Sequence, residues 1–451
     1  MIHRAVLVLA MLVAGCDAVP LEQPPTRARI ADSSLPPIKD FASAHPVTPQ
    51  RSNADMARDF LDLHFMLEGG STLPVFTRFE GPITLRVTGR PTSSFNADLS
   101  KLLSRLQREA GINIRRIDDG SAHITIQSVS RAEIRRALPK AACFVVPNVS
   151  SLAEFRRNKR NPSTNWSQLR QRNRLAIFLP NDVSPQEVRD CLHEELAQAI
   201  GPLNDLYRLP DSVFNDDNVH TVLTGFDMLI LRATYAPELT TGMSRAEVAA
   251  RLPAILSRNN PRGDSLPSAP LQETSRDWIK SVEAALGPDT NGEARKRAAN
   301  QAVATAQRLA WRDHRRAFSH YILGRMIQAS DPTLAQKHFQ TSMHFLGQSS
   351  NTVLHRAHIA ARMAAYEIAR GNGPAALTLV QPSITTAAQF ENAALLSTLM
   401  LLQAEALELT GDFEAARAVR LDSLGWARYG FGSDWAVRAK MSEIAALGPN
   451  T

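Results

Sequence analysis

The stretch "SPQEVRDCLHEELAQAIGPLND", Ser184 to Asp205, decides how the surrounding region is interpreted. Ser184 has the spacing of a capping box with Glu187, and Pro185 falls at the first helical position. Apolar side chains then recur every fourth residue in one stripe, formed by Val188, Leu192, Leu196 and Ile200. Because Gly201 follows the last of them, we predict an amphipathic helix that ends at this glycine.

The predicted helix resembles a zincin helix only in part. In that motif two histidines one turn apart bring both imidazoles to one zinc ion, and the glutamate between them acts as general base on the metal-bound water. His193 and Glu194 begin such a pattern, but Ala197 stands where the second histidine is required. We therefore expect His193 to be a surface histidine without a role as ligand.

A second register gives a closer resemblance. In metzincin-type proteases a glycine follows the second histidine by three residues, and a third ligand follows three residues later. With Gly201 at that glycine, Glu195 takes the position of the general base. The three ligand positions then hold no imidazole, and they are Glu194, Gln198 and either Asn204 or Asp205.

These replacements leave two functions open. Amide oxygens suit hard cations better than zinc, so a non-enzymatic module is favoured, with Glu194 and Glu195 as solvated residues of the helix. The alternative is a metal-dependent hydrolase that acts on peptide or cell-wall substrates, with Glu195 as general base. No cofactor is predicted, and a divalent cation is the alternative.

The N-terminus predicts a lipoprotein signal peptide over residues 1–15. His3 and Arg4 precede the apolar run "AVLVLAMLV", which is too short to span a bilayer. The next residues, "LVAGCD", resemble a bacterial lipobox, in which Cys16 is lipidated; an ordinary signal peptide containing a cysteine is the alternative. Asp17 resembles an inner-membrane retention signal. We expect a lipid-anchored protein on the periplasmic side of a bacterial membrane, with the inner membrane favoured.

The extracytoplasmic compartment favours a disulfide between the two other cysteines, Cys143 and Cys191. Two buried free thiols are the alternative. Metal binding by this pair is not expected, because the CxxC spacing is absent.

Basic residues outnumber acidic ones by 51 to 44, and many of them lie in "FRRNKRNPSTNWSQLRQRNR", which contains no acidic residue. A solvated surface loop is favoured here. The alternative is an anionic partner, with candidate contacts at Arg156, Arg157, Lys159 and Arg160. Nucleic acid is not an expected partner, because of the compartment and because only Trp166 interrupts the charge.

Composition and periodicity divide the chain into an α+β part and a helical part. The predicted segments are the signal peptide (1–15), the lipidated cysteine with a Pro-rich linker (16–54), an α+β domain (55–256), a linker (257–272) and an all-α domain of helical hairpins (273–451). Within the α+β domain, "INIRRI" and "AHITIQSV" on either side of "DDGS" predict a β-hairpin.

The helical domain resembles tetratricopeptide repeats. "AAYEIARGNGPAALTLV" and "QAEALELTGDFEAARAV" each predict a helix, a tight turn and a second helix, and Ala364 and Ala404 occupy matching positions 40 residues apart. An irregular helical bundle is the alternative. Stacked hairpins present a concave surface, so we expect a protein partner at these repeats and a membrane contact through the lipid anchor.

The segment from about Met56 to Leu256 also resembles a known family. "FLDLHFMLEGG", "RFEGPITLRVTG", the cysteine before "FVVP", and "CLHEELAQAIGPLND" with the following "SVFNDD" look like a bacterial domain of unknown function, number 2927. Many members of that family resemble lipoproteins. The family has no established activity, so the resemblance implies no reaction; with the metzincin-like helix it implies a zincin-like mixed sheet.

Overall fold

A mixed β-sheet forms the centre of the N-terminal half. The computed structural model describes residues 34–42, 47–268, 272–288 and 290–448. The strands in these ranges are β1 (Ile83–Gly89), β2 (Ile114–Arg116), β3 (Ile124–Val129), β4 (Phe144–Pro147) and β5 (Leu175–Pro180). Their order is β2-β1-β3-β5-β4, and β4 is antiparallel to β5 while the other pairs are parallel. The predicted signal peptide, Cys16 and Asp17 lie outside the described residues.

The predicted hairpin between β2 and β3 is wrong. β1 lies between these two strands and pairs in parallel with both, with Ile83 opposite Ile114 and Leu85 opposite Ile124. The residues between β2 and β3 therefore cross over β1, where the Gly120 carbonyl accepts a hydrogen bond from Arg86 at 2.9 Å, rather than form a tight turn. A strand with partners on both edges satisfies its backbone groups on both sides, and that long-range gain outweighs the local turn signal.

Helices cover both faces of the sheet. They are α1 (Asn53–Phe65), α2 (Phe95–Ala110), α3 (Arg131–Ala137), α4 (Leu152–Asn158), α5 (Pro185–Ile200), α6 (Gly225–Thr234) and α7 (Arg245–Asn259). Leu85 and Ile126 face the larger core with α1, α2, α5 and α6. Ala176 and Phe178 face the smaller core beneath α3 and α4. These layers confirm an α+β architecture.

The predicted helix of the opening stretch is confirmed as α5. The Ser184 hydroxyl accepts a hydrogen bond from the Glu187 backbone N–H at 3.2 Å, and Pro185 is the first helical residue. The Glu187 carboxylate pairs with Arg131 at 2.7 Å, so the return bond of a capping box is replaced by an ion pair. The apolar stripe is buried against β5, β4 and α2, which anchors the helix in the core.

The C-terminal half is helical, as predicted. Its helices are α8 (Arg276–Leu286), α9 (Gly292–Arg308), α10 (His314–Ile327), α11 (Pro332–Gly347), α12 (Val353–Ala369), α13 (Gly373–Gln389), α14 (Ala393–Leu409), α15 (Phe413–Phe431) and α16 (Asp434–Ala445). Consecutive helices pack as hairpins. Ala364 and Ala404 are both completely buried, and the turns at Gly371 and Gly411 share a left-handed conformation with φ of 73° and 86°.

The helical hairpins pack directly on the α+β part. α15 contacts α5, and the Gln186 amide donates to the Asn392 side-chain oxygen at 3.2 Å. The His355 imidazole contacts the Asp217 carboxylate at 2.8 Å. These contacts place α5 between the sheet and the helical hairpins, so this helix is enclosed rather than exposed.

The described part of the Pro-rich segment follows the folded surface. Arg428 donates to the carbonyl of Pro36 at 2.7 Å, and the ring of Phe41 stacks on Trp426 with centroids 4.6 Å apart. Within the described residues, no helix is both long and apolar enough to cross a membrane.

Candidate functional site

The predicted disulfide joins α5 to the start of β4. Cys143 and Cys191 are bonded, with their Cα atoms 6.0 Å apart and a sequence separation of 48. In the chain-entropy description, a loop of this length stabilises the folded state by about 4 kcal/mol. The bond therefore holds the N-terminal half of α5 against the edge of the sheet.

A buried arginine closes the other end of α5. Arg172 is 3% exposed, and its guanidinium donates to the carbonyls of Gln198 and Ala199, each at 2.7 Å, and to that of Gly201. These are carbonyls that the last turn of a helix leaves without partners. Burial lowers the pKa of Arg172 to about 10. Sequence reasoning missed this role because Arg172 lies in a stretch that is basic throughout.

Close packing, and not a left-handed turn, favours glycine at position 201. Its φ is −154°, outside the left-handed range, and a Cβ at this position would lie 2.9 Å from Cδ2 of Leu231, so that side chain would have to move. The glycine therefore lets α6 approach the end of α5.

His193 is a core residue, which corrects the expectation that it lies on the surface. It is 4% exposed, and its Nδ1 accepts a hydrogen bond from the Leu223 backbone N–H at 3.1 Å. Burial, followed by the charges of Arg105 and Arg189, lowers the pKa of His193 well below its ordinary value. The neutral imidazole holds the loop before α6 against α5.

Glu195 is also buried, contrary to the expectation that it is solvated. It is 5% exposed because α5 is enclosed, whereas Glu194 is partly exposed. Burial, followed by Glu194 and Glu68, raises the pKa of Glu195 well above its ordinary value. Its Oε2 has no hydrogen-bond partner among the described residues.

Five carboxyl groups interact around the C-terminal half of α5. This acidic cluster consists of Glu68, Glu194, Glu195, Asp205 and Asp216. Burial and the neighbouring carboxylates raise the pKa of Glu194 to about 8 and that of Asp216 to about 7. They also raise the pKa of Asp205 well above its ordinary value, and Glu68 shares a hydrogen bond with it. Part of the cluster therefore retains protons at neutral pH and can donate hydrogen bonds as well as accept them.

The amides at the other metzincin-like positions make hydrogen bonds within the fold. The Gln198 amide donates to the Asp205 carboxylate at 3.4 Å. The Asn204 amide points instead to α1 and donates to the carbonyl of Asp62 at 3.1 Å. Thus Asp205, not Asn204, faces the acidic cluster.

This donor set does not fit zinc. Zinc sites use imidazole, thiolate and ionised carboxylate, whereas the metzincin-like positions of α5 and the following turn hold carboxyl and neutral amide groups and no imidazole. Across the part of the chain that the structure describes, no group of three or more His, Cys, Asp or Glu side chains is arranged to hold a metal ion.

The basic candidates lie at and after the end of α4. Arg156 donates to the carbonyl of Glu133 at 3.1 Å, and Lys159 donates to that of Ala137 at 2.6 Å. Arg157 and Arg160 are exposed. All four residues are exposed, and two of them also hydrogen-bond from the end of α4 to α3.

The DUF2927 resemblance now has independent support. Residues 53–254 match a family described as "Protein of unknown function (DUF2927)". The matched segment contains the whole sheet, the disulfide and α5, with every member of the acidic cluster. Helices α8 to α16 lie outside it. No curated protein and no solved structure matches the chain.

Proposed function

We propose that this protein is a non-hydrolytic binding protein of the bacterial cell envelope, built from a metallopeptidase-like DUF2927 domain and a helical-hairpin domain. The main support for the proposal is the type of side chain found at the metzincin-like ligand positions. Neutral amides replace imidazoles at Gln198 and Asn204, and their NH2 groups donate hydrogen bonds within the fold. The one imidazole of the helix, His193, accepts a hydrogen bond from a backbone amide. The helix serves as a structural element around which the other layers pack.

The zincin-like part of the proposal is supported by the order of elements. β5 leads into α5, and β4 is the antiparallel strand at the edge next to β5. This mixed sheet, with its long buried helix after β5, is what the resemblance to a zincin implies.

The envelope location is supported by covalent chemistry. A disulfide between Cys143 and Cys191 persists in oxidising compartments such as the periplasm. Lipidation at Cys16 anchors the chain to the membrane in this proposal, and Asp17 retains it at the inner membrane.

We further propose that the helical hairpins, which resemble tetratricopeptide repeats, bind a protein partner. Large apolar side chains are exposed near the end of this domain: Phe413 is 68% exposed, Leu421 61% and Trp435 74%. Apolar and aromatic side chains of this kind act as anchors in protein interfaces. Replacement of Leu421 and Trp435 by serine is expected to abolish partner capture, whereas Leu334→Ser, exposed on α11, leaves it intact.

The second candidate is a hydrolase that acts on peptide or cell-wall substrates, with Glu195 as general base. It is favoured by one observation: Glu195 Oε2 and Asp205 Oδ1 are both buried and without a hydrogen-bond partner in the described parts of the chain. Carboxyl oxygens in that state are suited to proton transfer or to contact with a cation.

Glu195→Gln separates the two candidates. The substitution keeps the shape of the side chain and removes its acid–base chemistry. The binding-protein proposal predicts full rescue of a deletion strain by Glu195→Gln. Loss of rescue by a variant that is folded, membrane-bound and normally abundant would support the hydrolase and contradict the proposal. Glu187→Gln, at the opposite end of α5 and outside the acidic cluster, is the matched control for a purely structural defect of the helix.

A further inference from the structure

A cavity of about 600 Å³ lies between α5 and the helical hairpins. The hairpin wall comes from α10, α11, α12, α14 and α16, and the opposite wall comes from α5 and the loop that contains Thr221. The volume falls within the range of about 300–1,000 Å³ that is usual for sites of small organic ligands. Much of the wall is apolar, including Phe339, Ala361, Ala365 and Leu402.

Four polar atoms in the walls are buried without a hydrogen-bond partner among the described residues. They are Asp190 Oδ1, Thr221 Oγ1, Gln336 Oε1 and His358 Nε2. Thr221 and Gln336 are each only 7% exposed. A buried polar atom without a partner costs about 1–3 kcal/mol, and a polar occupant of the cavity that reaches these side chains offsets part of that cost.

The cavity is also lined by one acidic and one basic residue that form no ion pair among the described residues. They are Asp190 from α5, whose carboxyl group hydrogen-bonds the Gln186 side chain, and Arg362 from α12. Burial raises the pKa of the Asp190 carboxyl well above its ordinary value, a cost that a bound cation would offset. The other charged lining residues, Lys440 and Glu443, are paired with each other at 2.6 Å.

We propose that this cavity binds a short peptide with free termini. The ammonium group pairs with Asp190 and the carboxylate with Arg362. Backbone amides of the peptide reach the polar groups of Thr221, Gln336 and His358, and its side chains contact the apolar wall. A zwitterion matches the two opposite charges, and amides supply both the donors and the acceptors that the four unpartnered atoms require.

This inference rests on the proposed binding function and names its ligand class. The test is calorimetric titration of the full chain in detergent with tri-, tetra- and penta-alanine, each free, N-acetylated or C-amidated. Free peptides are expected to bind. Loss of one charge-assisted contact, by N-acetylation or by C-amidation, is expected to weaken binding about 10- to 100-fold.

Two variants assign the contacts. Asp190→Asn is expected to weaken binding of the free peptide and to remove the discrimination against N-acetylation; Arg362→Met is expected to do the same for C-amidation. The matched controls are Asp119→Asn and Arg356→Met, two exposed residues outside the cavity, which are expected to bind like the unmodified protein. Thermal unfolding verifies that each variant is folded.

Ala365→Phe fills part of the cavity and keeps both charged residues, and it is expected to reduce affinity for all peptides. The inference is overturned if folded protein binds none of the peptides at millimolar concentration, a result that indicates a cavity filled by water. It is also overturned if neither charge variant nor Ala365→Phe changes the affinity. Mass spectrometry of the peptides after titration tests the proposed function separately: cleaved peptide contradicts the non-hydrolytic proposal, whereas intact bound peptide supports both.

Discussion

Replacement of Arg172 by methionine tests how α5 is held in place. Methionine keeps the unbranched apolar stem and removes the guanidinium, so the carbonyls of Gln198, Ala199 and Gly201 lose their shared donor. Each buried acceptor left without a partner costs about 1–3 kcal/mol. Because a single side chain serves all three and some relaxation follows, we expect a total loss of about 3–5 kcal/mol.

Thermal unfolding followed by circular dichroism measures this loss. At roughly 2 °C per kcal/mol, the ratio for large domains, the midpoint is expected to fall by about 6–10 °C. Arg170→Met is the matched control, because Arg170 lies two residues earlier, is exposed, and contacts only the carbonyls of Ser167 and Leu169 in the described structure. Equal midpoints for Arg172→Met and Arg170→Met would refute the assignment of Arg172 as the cap of α5.

Three further predictions concern covalent bonds and protonation. Serine at both Cys143 and Cys191 is expected to lower the free energy of unfolding by about 2–5 kcal/mol in denaturant titrations; an unchanged midpoint would show that the bond is not formed in the protein. The pKa of Glu194 is raised from 4.5 to about 8 in the folded state, so the fold favours the protonated carboxyl group. The stabilisation from this group is therefore fully present below about pH 4.5 and is lost as the pH rises to about 8. Glu194→Gln is therefore expected to unfold at a higher temperature than the unmodified protein at pH 8 and at a similar temperature at pH 4.5; the opposite order would contradict the burial of the acidic cluster. Finally, Cys16→Ser is expected to release the protein from membranes in fractionation, and retention in the membrane fraction would argue against lipidation.

Local patterns predicted much of the fold. The serine, proline and apolar repeat of the opening stretch predict α5 with both of its ends, since capping and amphipathicity act within a few residues. The pairing of Cys143 with Cys191 followed from the expected compartment and from the small number of cysteines. The division into an α+β part and a helical part followed from the change in periodicity along the chain.

Long-range packing explains what local patterns missed. No short window shows that β1 lies between β2 and β3, because strand order depends on pairing between distant segments. Glu195 and His193 have the sequence context of an exposed helix face, but they are buried because elements far along the chain close over α5. The capping role of Arg172 was also missed because the carbonyls that it contacts lie 26 to 29 residues away in sequence.

The zinc content of the purified full chain shows whether α5 is a structural helix or part of a zinc site. The protein is purified without chelators, and zinc is measured by inductively coupled plasma mass spectrometry before and after dialysis against a weak chelator. Because the metzincin-like positions hold no imidazole, we expect far less than one zinc ion per chain. One tightly held zinc ion per chain, lost in Glu194→Ala but not in the exposed control Asp119→Asn, would contradict the account.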